Sequence, residues 1–247
     1  MKSNLPGKKT LTVLKEKEKN IYSTNNYPIA WEITHWHKMK ASHLLLGIFL
    51  FAFIACSTSR VNSRLLKQEA PATFKAKFET SKGDFVVEFH RDWSPKAVDR
   101  VYQLIKSDFY DSEVIFRVVK DYVAQFGISN DSTLNSFWNK HKLVDEPVIT
   151  PNTKGTISFA RGGPNSRGTQ LFINIENNSP RLDTLTFQGV SGFPVVGEII
   201  ENKEIASQLY SGYGNSPRQD SIQVHGNKYL NTNFSNLDYI KRVSIIK

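Results

Sequence analysis

Residues 159–173 read F-A-R-G-G-P-N-S-R-G-T-Q-L-F-I. An apolar strand end, Phe159-Ala160, runs into a loop dense in Gly, Pro and Asn, and the loop returns into a second apolar run, Leu171-Phe172-Ile173. Gly162, Gly163 and Gly168 permit backbone angles that other residues resist, and Pro164-Asn165 favours a tight turn. Such a loop can hold amides and carbonyls at the rim of a groove, although alone it could be a plain hairpin-like connection. Upstream, residues 115–127 read I-F-R-V-V-K-D-Y-V-A-Q-F-G. Val118-Val119 and Tyr122–Phe126 read as strands around a turn at Lys120-Asp121. Arg117 and Gln125 interrupt these apolar runs. Buried polar side chains are costly without partners, so the two should face a ligand or each other.

The flanking sequence extends this pattern. Residues 73–79 and 85–90 alternate apolar and polar around Ser81-Lys82-Gly83-Asp84, which predicts a hairpin. Ser94 and Pro95 predict the cap and first position of a helix, with Val98, Val101, Tyr102 and Ile105 on its apolar side through Lys106. A strand is expected over 194–200, a short second helix over 202–210 and a last strand over 239–246. Many short strands with two helices predict a closed β-barrel or a sandwich capped by helices.

Taken together, the segments from 115 and from 159 resemble the cyclophilin family of peptidyl-prolyl cis-trans isomerases. The family pattern F-x-R-[IV]-[IV]-x-x-[FY]-x-x-Q-x-G is met from Ile115, with Ile in its first position. The pattern [MF]-A-x-x-x-P-N-[ST]-x-G-[ST]-Q-F-F-I is met from Phe159, with Leu171 in place of its first Phe. The resemblance covers the chain from about Phe74 onward. It implies a mainly β fold, a closed eight-stranded antiparallel β-barrel capped by two α-helices. It implies Arg117 as the catalytic arginine, with Gln125 positioning it and the substrate carbonyl. It also implies that Tyr122, Val123, Phe172 and Leu182 form the proline pocket, while Ala160, Arg161 and Gln170 line the peptide groove. Phe193 falls where drug-sensitive members carry His, and Arg181 where they carry Trp. Phe116 stands where many eukaryotic members have His, Tyr122 replaces Phe and Val123 replaces Met. Residues 184–191 read as an insertion.

The chemistry so implied is rotation about the Xaa-Pro bond, whose barrier of about 18–20 kcal/mol comes from amide resonance. A guanidinium that donates to the proline nitrogen in the twisted state lowers that barrier, and needs no nucleophile, metal or other cofactor. The expected partners are proline-containing segments of unfolded or exported proteins, met by a monomer. The alternative is a non-catalytic peptide-binding or chaperone module on the same fold, which has no need of the arginine.

The front of the chain carries a different message. From Met39, one Lys is followed by twelve apolar or small residues, Leu44 to Ala55, and then by Cys56, the one cysteine of the sequence. The run is short for a membrane span of about 20 residues. F-I-A-C resembles a lipobox, so residues 39–55 are expected to be a lipoprotein signal and Cys56 a lipid attachment site. That places the protein in a bacterial cell envelope, membrane-anchored and facing the periplasm. Residues 1–38 are expected to be an upstream extension or a disordered arm, residues 56–72 a tether and residues 73–247 the isomerase domain. His35-Trp36-His37 lacks a third partner for a metal site. The chain's net charge of +9 is partly carried by residues 1–55, which hold 8 basic and 3 acidic residues. The remainder is 24 basic against 20 acidic, or +4, which argues against a nucleic-acid binder.

Overall fold

The computed structural model describes residues 63–247. The expected extension at 1–38, the expected signal at 39–55 and the expected lipid attachment site Cys56 lie outside the described residues. The described residues form eleven strands: β1 (Thr73–Thr80), β2 (Gly83–His90), β3 (Glu113–Val114), β4 (Arg117–Val119), β5 (Val123–Phe126), β6 (Thr156–Phe159), β7 (Leu171–Asn174), β8 (Thr186–Phe187), β9 (Val190–Ser191), β10 (Val195–Glu201) and β11 (Tyr239–Ile246). The helices are α1 (Pro95–Lys106), α2 (Ser132–Asn139), α3 (Arg181–Thr184) and α4 (Gln219–Asn233).

Nine strands form one antiparallel sheet in the order β3-β11-β1-β2-β10-β6-β7-β5-β4, and β8-β9 is a separate hairpin. The expected count of eight is therefore corrected to a nine-stranded curled sheet, because β3 and β4 are separate short strands joined through Ile115-Phe116. The β1–β2 register runs from Thr73↔His90 to Thr80↔Gly83, a tight hairpin about Ser81-Lys82. Its inward residues Phe74, Ala76, Phe78, Phe85, Val87 and Phe89 join Val98, Val101, Leu104 and Ile105 of α1 in the main core. Phe78 and Phe85, directly opposite in register, stack at 5.0 Å.

Three expectations change. Ser94 does not cap α1 with its own side chain. The Ser94 hydroxyl instead donates to Glu146 Oε2 at 2.6 Å, and Glu146 accepts from the Lys96 and Ala97 amides at 2.8 and 3.2 Å. A carboxylate fifty residues away thus satisfies the first turn and opposes the helix dipole. The helix expected over 202–210 is a 3-10 turn, Lys203–Gln208, entered through Asn202 in a left-handed conformation. The second long helix is α4, which bends at Gly226 (φ 55°). A Cβ there would stand 2.4 Å from Asn130 Oδ1, the atom that accepts from the Asn227 amide, so only glycine fits. The expected tether is also shorter on its described side, because Leu65 and Ala70 are already buried and Gln103 of α1 donates to the Gln68 carbonyl at 2.8 Å.

Candidate active site

Strand alternation builds the site. In β4, β5 and β7, Val118, Ala124, Phe126, Leu171 and Ile173 point into the main core. The period of two then sends Arg117, Val123, Gln125 and Phe172 to the opposite face. Register aligns them: Arg117 pairs with Gln125, and Gln125 with Phe172, across three neighbouring strands. Polar residues inside apolar runs are therefore the outer half of an alternating pattern.

Val123, Phe172 and Leu182 form a small buried cluster with Tyr122, Ala160 and Phe193 packed around it. Phe193 meets Phe172 edge-on at 5.6 Å. These six residues, with Arg117, Gln125 and Arg161, line a groove of about 280 Å³. An adjoining cavity of about 250 Å³ shares Gln125, Ala160 and Arg161 and adds Gln170. Every residue expected at the site is thus brought to these two joined spaces. Arg181 lies with its guanidinium carbon 5.1 Å from the Tyr122 ring centre, over the pocket edge.

Arg117 Nη1 donates to Gln125 Oε1 at 3.0 Å, and Gln125 Nε2 donates to Gln170 Oε1 at 2.7 Å. Gln125 is 5% exposed, so its amide is committed to this line and fixes the arginine in turn. Partial burial lowers the Arg117 pKa from its ordinary value, an effect opposed by nearby Tyr122. The guanidinium still remains charged at neutral pH. A fixed cation beside an apolar pocket suits a reaction whose transition state exposes a nitrogen lone pair. Among the described residues no cluster of three or more His, Cys, Asp or Glu could hold a metal ion.

The opening loop makes the expected tight turn at Pro164-Asn165, with Gly163 (φ 158°) and Asn165 (φ 50°) both at positive φ. The Asn165 amide donates to the Asp145 carboxylate at 2.7 Å and its side-chain oxygen accepts from the Asp145 amide at 2.9 Å. The loop returns past Gly127 (φ 103°), where a Cβ would meet the Thr169 carbonyl at 2.5 Å. That close approach seats Gln170 beside Gln125. The Arg161 side chain turns to the insertion: it donates to the Gly192 and Val190 carbonyls at 3.1 and 2.8 Å and covers the Phe193 ring at 4.8 Å.

Three residues at or behind the site were not anticipated. Asn215 accepts from Arg117 Nε at 2.6 Å, and Gln219 at the start of α4 lines both spaces. Arg167, inside the opening loop, is fully buried and bonds Glu146 at 3.0 Å. The cluster Gly212, Gly214, Asn215, Pro217 signals a turn in the sequence, but nothing local names the strand it turns toward.

Comparison with known proteins agrees with this geometry. The family model for cyclophilin type peptidyl-prolyl cis-trans isomerase matches residues 75–227. The peptidyl-prolyl cis-trans isomerase cypE of Dictyostelium discoideum is 35% identical over 127 residues, 48% of this chain and 79% of that protein. Human peptidyl-prolyl cis-trans isomerase-like 3 is 29% identical over 134 residues, 53% of this chain and 78% of its own. A cyclophilin type isomerase of Cryptosporidium parvum superposes with a TM-score of 0.51 at 22% identity, covering 71% of this chain and 98% of that one. With both motifs, the sheet and the matched span in agreement, the chain belongs to the cyclophilin-type peptidyl-prolyl cis-trans isomerases.

Proposed function

We propose that this chain accelerates rotation about Xaa-Pro bonds in exported proteins, with Arg117 as the transition-state donor. The proline ring enters the apolar floor made by Val123, Phe172 and Leu182, walled by Tyr122 and Phe193. Ala160, the Arg161 backbone and Gln170 run along the extended part of the peptide. As the amide twists, the proline nitrogen becomes pyramidal and its lone pair accepts from the guanidinium. The planar ground state offers no such acceptor, so the bond forms mainly in the transition state and raises kcat. Gln125 holds Arg117 in place and stands within reach of the preceding carbonyl.

The observation that supports this most directly is the row Arg117, Gln125 and Phe172 on one sheet face, with the cation held at the pocket rim. A protease-coupled isomerisation assay on an Xaa-Pro peptide tests it. Turnover above the uncatalysed rate is expected, whereas peptide binding without turnover would leave a binding module. We further read the sheet as closing into a barrel, since its two edge strands β3 and β4 are separated by two residues only.

The anchoring reading rests on the apolar run Leu44–Ala55 ahead of Cys56. Diacylation at that cysteine would give stable attachment, since two chains suffice where one is marginal. Cys56→Ala should abolish incorporation of labelled lipid in cells. Equal labelling of variant and wild type would remove the anchor.

A further inference from the structure

The segment between the 3-10 turn and α4 reaches the catalytic row from the side that the sheet leaves open. Strand β4 is an edge strand, and Gly214 makes an antiparallel bridge to Val118 in it. In antiparallel register the next pair outward is Arg117 and Asn215. The Asn215 side-chain oxygen accepts from Arg117 Nε at 2.6 Å, while Gln125 takes Nη1 from across the strand at 3.0 Å. Two bonds at different edges of a planar group fix its orientation. Among the hydrogen bonds of the described residues Nη2 has none, and Arg117 lines the groove.

The arm carrying Asn215 is itself held. Tyr213 packs edge-on against Tyr210 and Phe234, both at 5.1 Å. The Ser216 amide bonds the Tyr213 carbonyl at 2.9 Å, and Pro217 is buried. Beyond it, Ile222 and Leu230 of α4 bury themselves against Phe116 and Ile128. Phe116 is the neighbour of Arg117 in sequence, so the residue before the cation anchors the helix whose leading segment grips the cation. Asn215 is exposed, yet its backbone is preset and its side chain is short, so it loses little freedom in making this bond.

We propose that Asn215 is a positioning residue for the isomerisation: it pins Arg117 Nε so that the Nη2 end is the one presented to the proline nitrogen. This deepens the reading of Arg117 as transition-state donor and rests on it. Asn215 does not touch the proline pocket, so its effect belongs in kcat. Asn215→Ala should lower kcat by roughly tenfold, the scale of a small misplacement of a catalytic group. KM, the Kd of a proline peptide and the unfolding midpoint should stay within about twofold or unchanged. Asn215→Gln keeps a neutral amide acceptor and should recover part of the loss, whereas Asn215→Asp, which pairs Arg117 with a carboxylate, should not.

The Arg117 Nε–H proton supplies a reading that needs no variant. In the wild-type protein it should exchange slowly with solvent by NMR, and in Asn215→Ala quickly. Wild-type kcat in Asn215→Ala, a loss confined to KM, or fast exchange of the wild-type Nε–H would each overturn the proposal. If Arg117→Ala is inactive while Asn215→Ala matches wild type, this inference falls and the role of Arg117 stands. If wild type itself shows no turnover, the isomerase reading falls and carries this one with it.

Discussion

Arg117 and Arg167 carry one kind of side chain into two surroundings. Arg167 is fully buried, with its guanidinium bonded to Glu146 Oε2 at 3.0 Å, to the Val144 carbonyl and, at 3.4 Å, to the Ser94 hydroxyl. Glu146 in turn serves the first turn of α1. The cluster ties the quoted loop, the Leu143–Glu146 segment and α1 together. Arg117 is partly exposed, is bonded only to neutral amides, and lines a groove. Pairing with a carboxylate neutralises a cation for structure, whereas neutral acceptors leave its charge available to a reaction. Arg100 marks the bound of this contrast: it too has neutral partners, the Gln103 side chain and the Gly168 carbonyl, but it is buried away from the groove, so a reactive arginine needs both neutral partners and access.

The largest expected effect tests the structural half. Arg167→Leu leaves Glu146 without its cation and should cost about 3–5 kcal/mol, read from urea unfolding, because a buried charge without its partner is poorly tolerated. A stable variant lacking activity would reverse the contrast. Next, Arg117→Ala should lower kcat/KM about 10²-fold, the loss of a charged transition-state donor, at an unchanged unfolding midpoint. A drop in stability with full activity would assign both arginines to the scaffold.

Glu113 sharpens the comparison, as a carboxyl with the burial of the Arg167 cluster but no cation bonded to it. It is 1% exposed, and its oxygens lie near the Gly127 and Ile128 amides and the Ser129 hydroxyl without a hydrogen bond of normal geometry. Burial outweighs these dipoles and pushes its pKa up to about 8 from an ordinary 4.5. Between those values the folded state holds a proton that the unfolded state has released. The stabilisation from this group is therefore fully present below about 4.5 and lost as pH rises toward 8. Unfolding free energy should fall by about 1 kcal/mol per pH unit across that window. Glu113→Gln should flatten the slope, and an unchanged slope would assign it to other groups.

The smallest effect contrasts two helix starts. Helix α2 is capped locally, with Asp131 Oδ1 accepting from the Thr133 and Leu134 amides at 2.8 and 3.3 Å. Asp131→Ala should cost about 1 kcal/mol in thermal or chemical unfolding. Glu146→Ala should cost more, since it removes the cap of α1 and the partner of Arg167 at once. Equal losses would mean that the distant cap does no more than the local one.

What the sequence revealed follows the range of each interaction. The β1–β2 hairpin, β11 and the span of α1 were legible because alternation, helical spacing and turn residues are local signals. Arg117 and Gln125 stood out as polar residues in apolar runs, and their pairing follows from the tight turn at Asp121 (φ 56°). Helix α4 was not legible, since the bend at Gly226 resets the phase of its apolar residues and leaves Ile222 and Leu230 buried while Val224 is exposed. The 202–210 segment carried helical spacing, yet Asn202 enters it left-handed and the turn stays tight. Arg167 and Asn215 took their meaning from Glu146 and Arg117, residues 21 and 98 positions away. No local pattern encodes such partners.

Strand β1 lies between β2 and β11, with Lys75 opposite Ile246. During synthesis, β2 can pair with β1 almost at once, whereas the other edge of β1 waits for Tyr239–Ile246. Through that interval an edge bearing Phe74, Ala76 and Phe78 has no partner strand, and unpaired apolar edges invite pairing with other chains. A ribosome-stalled chain ending before Tyr239 should therefore depend on chaperones, and release of the β11 residues should end that dependence.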